Sequence, residues 1–366
     1  MSAIDDALKL LSALVAAPSV SRNEDKTADI LSEWFVAHGV EPQRIGNNIY
    51  VVAPDYDPEK PTLLMVSHHD TVKPSPAYTR PPYEPVIAEG RLYGLGSNDA
   101  GASVVAMTTA YLIHRSLSHG YNIILALVAE EEVGGENGIR LLLPHLLSQG
   151  LKIDMALVGE PTALQPAIGE RGLVVLDCTA YGKTGHAARN EGVNALYIAL
   201  DDISRLRSFR FPRKSDILGD IKMTVTQIEA GRQHNVIPEE CRFVVDVRTT
   251  DAYSNEETAQ IIDDALESDC RPRSTRVWAS VIRSTHPLVL TAERMGGTPF
   301  VSPTTSDMSL LHNIPSLKIG PGESSRSHTA DEFVEIDEIE AGINFYDKYL
   351  TTLDQILKEA RHETME

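Results

Sequence analysis

Three short apolar runs each end in acids or imidazoles, and this recurrence constrains the chain more than any other feature. The first, Thr62–Val66, follows Pro61 and stops at Ser67-His68-His69-Asp70. The second, Asn122–Ala129, stops at Glu130-Glu131-Glu132, and the third, Ile153–Val158, stops at Gly159-Glu160. Continuous apolar runs of this length read as strands buried on both faces, the habit of parallel sheets. Open α/β sheets bind ligands at the carboxyl ends of such strands. Residues two apart on a strand share a face, so His68 and Asp70 point one way and His69 the other. A histidine with a carboxylate two residues on suits a metal ligand with its orienting partner, and the alternative for this stretch alone is a satisfied surface histidine cluster. A lone acidic triplet reads as a solvated turn, but one placed directly after a buried strand needs a compensating positive charge.

The 366 residues exceed one comfortable core and imply two domains. A net charge of -19 argues against a nucleic-acid binder and disfavours an anionic membrane surface. The three cysteines, Cys178, Cys241 and Cys270, are odd in number and lack C-x-x-C spacing. The sequence therefore predicts no disulfide framework, no zinc ribbon and a reducing, cytoplasmic setting, with the thiols as small buried hydrophobes. The first helix, predicted over Ile4–Ala16, carries Asp5 and Asp6 where an export signal carries basic residues. No apolar stretch reaches the roughly 20 residues of a membrane span.

Helices are predicted over Asp25–His38, Ala102–His114 and Gly138–Leu147, alternating with the apolar strands in βαβ rhythm. The long segment Lys73–Gly101 reads as a functional loop ending in Gly94-Leu95-Gly96-Ser97-Asn98-Asp99. It lacks the Lys and Ser/Thr of a phosphate-binding loop. Near Arg171 the pattern changes. Strand Leu173–Tyr181, helix Ala187–Ser208, strands Lys222–Ala230 and Arg242–Thr249, helix Asn255–Ser268 and strand Thr275–Arg283 follow a β-α-β-β-α-β order. The expected fold is thus α/β, a central mostly parallel sheet flanked by helices, with an inserted ferredoxin-like α+β domain. Residues 1–171 and 284–366 would form the catalytic domain and 172–283 the insertion. A terminal helix over Ile336–Ala360 closes the chain.

The strand-end inventory, with His328 from the late segment Ser327-His328-Thr329-Ala330-Asp331-Glu332, is imidazole and carboxylate without a thiol. That donor set suits a catalytic zinc-type ion. Two ions sharing a bridging carboxylate, with Asp99 as the bridge, fit better than one. Glu131, left off the metals, could take a proton from water as general base.

These motifs, taken in order, resemble the co-catalytic zinc aminoacylase/carboxypeptidase family, whose fold is zinc-peptidase-like. The resemblance covers nearly the whole chain. It implies that His68, Asp99 and Glu160 hold one Zn2+ and that Asp99, Glu132 and His328 hold the other, with Co2+ or Mn2+ as substitutes. Asp70 would orient His68, and Glu131 would activate water and then protonate the leaving amine. The inserted domain would mediate a homodimer and serve as a lid, and His186 would reach the partner's site to stabilise the oxyanion. Asn235, Arg248 and Arg326 would contact the substrate. One departure is plain: Asp99 precedes Ala100-Gly101 where the family often carries Lys and then Gly-Gly.

The implied activity is hydrolysis of an N-acyl amino acid, first N-acetyl-L-ornithine or an N-acyl-citrulline in arginine biosynthesis. Succinyl-diaminopimelate desuccinylase and a metallo-dipeptidase or carboxypeptidase are the alternatives. A desuccinylase needs one more cation for the second substrate carboxylate, which Arg326 could supply. A solute-binding protein is the non-enzymatic alternative, and metal content separates it from the rest.

Overall fold

The computed structural model describes residues 2–189 and 191–365. The chain divides into two compact units, one of residues 1–168, 282–300 and 306–366, the other of residues 169–281 and 301–305.

The first unit opens with α1 (Ala3–Ala16), started by a reciprocal capping box between Ser2 and Asp5. Helix α2 (Asp25–Ala37) and strands β1 (Gln43–Ile45), β2 (Asn48–Val52) and β3 (Thr62–His68) follow. The expected long loop holds a small hairpin, β4 (Val86–Ala88) and β5 (Arg91–Tyr93), then a helical turn over Ser97–Gly101 that runs into α3 (Ala102–His114). Next come β6 (Asn122–Val128), α4 (Ile139–Ser148) and β7 (Met155–Val158). Strand β8 (Ala167–Glu170) leads out of this unit.

The second unit carries β9 (Gly172–Tyr181), β10 (Gly185–His186), α5 (Ala195–Ser208), β11 (Lys222–Ala230) and β12 (Val236–Ile237). It continues with β13 (Glu240–Thr249), α6 (Asn255–Ala265), β14 (Asp269–Pro272) and β15 (Ser280–Val281). Its four-stranded sheet has the order β11-β13-β9-β14, every neighbouring pair antiparallel. Val174, Leu176, Phe243 and Val245 form its core with Ala199 and Leu206 of α5 and Ile262 of α6.

Three expectations need correction in this unit. The helix expected from Ala187 starts at Ala195, because Gly192 turns the chain at φ +85° and the Asn194 side chain caps the Leu196 amide. The last strand expected over Thr275–Arg283 is shorter and displaced: Asp269–Pro272 edges the four-stranded sheet, and only Ser280–Val281 of the expected range is a strand, paired with β8. The 275 and 277 carbonyls accept the Asn255 side-chain amide, and Val277 keeps a single bridge to Leu173. The cysteines are not all free. Cys270 lies opposite Cys178 in the β14–β9 register, with Cα atoms 4.1 Å apart, and the two form a disulfide. Cys241 remains a buried free thiol.

The chain re-enters the first unit through α7 (Pro287–Arg294), passes β16 (Phe300–Ser302), and adds β17 (Ser316–Lys318), β18 (Phe333–Glu335) and α8 (Ile336–Met365). The sheet of this unit runs β1-β2-β6-β3-β7-β17. The β6–β3, β3–β7 and β7–β17 pairs are parallel, whereas β1 and β2 add antiparallel edges. Every residue of β3, β6 and β7 is buried. Leu63 and Met65 pack with Phe35, Tyr111 and Tyr346 on one face, while Leu64 and Val66 pack with Leu142 and Leu146 on the other. This two-sided burial explains why these strands read as continuous apolar runs. Tyr346 and Tyr349 of α8 donate their hydroxyls to the Ile319 and Leu288 carbonyls at 2.6 and 2.5 Å, pinning the terminal helix inside the fold. No described helix is long and apolar enough to cross a membrane.

Candidate metal centre

The ends of β3, β6 and β7, the loop before α3 and the loop before β18 bring imidazoles and carboxylates together in the first unit. His68, the last residue of β3, is the hub. Its Nε2 lies 3.2 Å from Asp99 Oδ1, 3.8 Å from Glu160 Oε1 and 4.0 Å from Glu131 Oε2. On the far side of Asp99, His328 Nε2 lies 3.6 Å from Asp99 Oδ2 and 2.9 Å from Glu132 Oε2. The Asp99 carboxylate therefore stands between two imidazoles.

Behind this layer Asp70 fixes three things at once. It faces His68 Nδ1 with its backbone carbonyl at 3.0 Å and its Oδ1 at 3.5 Å. It accepts the backbone amides of Glu131 and Glu132 at 3.0 and 3.2 Å, and the Ser21 hydroxyl at 2.7 Å. Its burial without a free lone pair facing solvent is thereby offset by hydrogen bonds. His69 points the opposite way, between Thr27 Oγ1 and the Asn47 carbonyl, each 2.9 Å away, and belongs to the packing. Glu130 also leaves the cluster. It adopts φ +57° and turns its carboxylate to the Asn137 amide and side chain.

The electrostatics are those of a site built around positive charge. Burial drives the Glu131 carboxyl well above its ordinary range and Glu160 up to about 8. The Glu132 carboxylate raises His328 to about 9. The surrounding acids hold His68 well above an ordinary imidazole, against the opposing effect of its burial. Without a cation these acids share protons, whereas a divalent ion removes the conflict.

Ligand-capable atoms of His68, Asp99 and Glu132 lie within 4.8 Å of one another, as do those of His68, Glu131 and Glu160. The donor types and reach fit divalent ions, and no cysteine takes part. His68, Asp99, Glu132, Glu160 and His328, scattered over 261 positions of sequence, are thus one neighbourhood, linked by the contacts above.

The remaining expected site residues lie elsewhere. His186 and Asn235 are exposed neighbours in the second unit. The Ala187 amide donates to the Asn235 carbonyl at 3.0 Å, and His186 Nδ1 accepts the Ala188 amide at 3.1 Å. Arg248 forks onto Asp246 through Nε and Nη2 at 2.8 and 3.2 Å. Arg326, in the first unit, makes a bidentate pair with Glu338 at 2.6 and 3.1 Å and lies over the Phe333 ring. Its guanidinium is engaged inside the chain, which weakens it as a reader of substrate.

A mostly parallel sheet with these donors at its carboxyl edge defines the class, an α/β protein with a candidate metal centre. The pattern of Peptidase family M20/M25/M40 matches residues 64–352, and the chain belongs to that family. It is 27% identical over 281 residues to a succinyl-diaminopimelate desuccinylase of Alkalilimnicola ehrlichii, covering 72% of this chain and 74% of that one. It is 26% identical over 370 residues to one from a Caulobacter species, covering 93% and 94%. Among solved structures, the aminopeptidase PepT of Bacillus cereus matches with a TM-score of 0.74 at 17% identity, covering 96% of this chain and 98% of that one. The Bacillus subtilis YXEP protein, described as a dinuclear metal binding peptidase, matches with a TM-score of 0.72 at 14% identity, covering 98% and 99%. The curated relatives carry the name given above as an alternative, so the comparisons favour desuccinylation over the acetylornithine reading.

Proposed function

We propose that this enzyme hydrolyses the amide of an N-succinyl amino acid, with N-succinyl-diaminopimelate the leading substrate. One observation carries the choice of acyl group: a relative aligned over 93% of this chain and 94% of its own length bears the desuccinylase name. We assign two divalent ions, zinc foremost and cobalt or manganese as substitutes, to His68, Asp99 and Glu160 and to Asp99, Glu132 and His328. When bound, such a pair polarises the scissile carbonyl and acidifies water.

The chain's own residues supply the remaining chemistry. Asp70 holds the His68 ring and, through two backbone amides, the Glu131–Glu132 turn. Glu131, off the ligand set, takes a proton from water as the water oxygen adds to the acyl carbon. It then delivers that proton to the amine nitrogen as the C–N bond breaks. His186 is assigned to the developing oxyanion, and Asn235 with Arg248 to the substrate's carboxylate end. Arg248 leaves Nη1 for that purpose while Asp246 holds its other two nitrogens.

We also assign a homodimer, formed by the second unit. Tyr197 and Leu200 of α5 and Ile228 of the edge strand β11 are exposed at 65%, 49% and 49%. An apolar helix face beside an open strand edge is a self-association surface.

The test is a panel of N-succinyl and N-acetyl forms of diaminopimelate, ornithine and citrulline, with dipeptides, assayed on the metal-loaded protein. The succinyl compounds are expected to exceed their acetyl counterparts in kcat/KM by at least about tenfold, the cost of leaving a charge-reading site unfilled. Equal rates, or preference for a dipeptide, would refute the acyl-group assignment, and no turnover at all would leave the solute-binding alternative standing.

A further inference from the structure

We infer that Glu332 is a positioning residue for the metal centre: its carboxylate sets the loop that aims Asp99 between the two imidazoles. The inference rests on the metal reading of the site. Six amides run from Gly94 to Asp99. Leu95 donates to Pro82 and Ser97 to Gly94. The other four all end on Glu332. The Gly94 amide meets its backbone carbonyl at 2.9 Å, Gly96 meets Oε2 at 2.9 Å, and Asn98 and Asp99 share Oε1 at 2.9 Å each.

Glu332 is only 2% exposed and sits four residues after His328. One short segment therefore carries a donor imidazole and also holds the backbone of the residue proposed to bridge. The Asn98 side chain adds a second strap, accepting the Glu323 amide at 2.9 Å and donating to the Glu323 carbonyl at 3.1 Å. A ligand placed on a loop needs such support, because a misplacement of roughly half an ångström spoils a site. Glutamate suits the task because its two carboxylate oxygens satisfy three converging N–H groups.

The neighbouring Asp331 supplies a built-in contrast. It accepts the Thr79 and Arg80 amides at 2.8 and 2.9 Å and touches nothing of the 94–99 loop in those bonds. Loss of Asp331 loosens a surface loop, whereas loss of Glu332 loosens Asp99.

The experiment compares wild type with E332Q, E332D and D331N in the full-length protein. Zn2+ affinity is read by chelator competition, the electronic spectrum with Co2+, and thermal stability of the metal-free form. The Gln variant must face an N–H donor with its own amide donor. The Asp variant keeps the charge and shortens the reach. Both are expected to weaken at least one metal equivalent by about 10–100-fold, the usual cost of removing an outer-shell partner, and to alter the Co2+ spectrum. D331N is expected to match wild type in both. Wild-type affinity and spectrum in E332D would show that only charge matters and overturn the inference, as would equal weakening in D331N. Either Glu332 variant alone decides the point if the other does not fold. A wild-type chain that takes up no divalent ion would refute the metal reading itself, a different result from wild-type uptake that Glu332 variants share.

Discussion

Loading the metal-free protein with Zn2+ should expel protons, and the number should fall steeply with pH. In the metal-free chain Glu160 titrates at about 8 and His328 at about 9. Both must be deprotonated to act as ligands. At pH 7 the two together hold about two protons, and at pH 9 fewer than about one. His68, also held well above an ordinary imidazole, adds to the release at neutral pH. The assay is calorimetric titration of Zn2+ into the metal-free protein in two buffers of different ionisation enthalpy, repeated from pH 7 to pH 9. Glu160→Gln should subtract about one proton at pH 7 and almost none at pH 9. The same groups fix the sign of a stability change. Each binds its proton more tightly folded than unfolded, so metal-free stability is fullest below the ordinary values of 4.5 for Glu160 and 6.5 for His328. It declines as pH rises through about 8 and about 9. Release that is absent at neutral pH, or that grows toward pH 9, would refute the reading of a proton-loaded acid cluster awaiting a cation.

Glu131→Gln should keep both metals and the wild-type melting temperature while kcat falls by about 10²–10⁴-fold, checked by metal analysis beside turnover. Near-normal kcat would assign the base elsewhere. His186→Ala should lose about 10²–10³-fold in kcat with an unchanged melting temperature, as expected of a group that only meets developing charge. If His186 serves the partner's site, mixing His186→Ala with Glu131→Gln should restore part of the activity through mixed dimers, each holding one intact site. Mixed dimers without activity would confine His186 to its own chain.

The strand-end chemistry was legible because burial writes itself into sequence. Strands covered on both faces must be apolar throughout, so His68, Glu131 and Glu160 stand out where the runs stop. The opposite directions of His68 and His69 followed from strand periodicity alone. What stayed hidden depended on register or on distant partners. Cys178 and Cys270 pair because two strands 92 positions apart align them, and spacing carries no trace of that alignment. At 275–277 the Asn255 side chain takes two carbonyls and only a single bridge to Leu173 remains of the expected strand, which no periodicity signals. Glu332 carried no reading of its own beyond closing the segment that holds His328. Its burial is created by backbone amides more than 230 positions away. Arg326 was expected to contact substrate, and the helix beginning at Ile336 instead supplies Glu338 as its partner.

The broken path of the first unit has a consequence for synthesis on the ribosome. Four of the five assigned metal ligands have been translated by residue 160, yet His328 and its companion Glu332 follow the whole of residues 169–281. The intervening unit owns a complete sheet and core, so it can mature while the earlier carboxylates still wait. A chain that stops before residue 328 still holds His68, Asp99 and Glu160 but lacks the last imidazole, so uptake of the second assigned ion waits for the segment that carries His328 and Glu332.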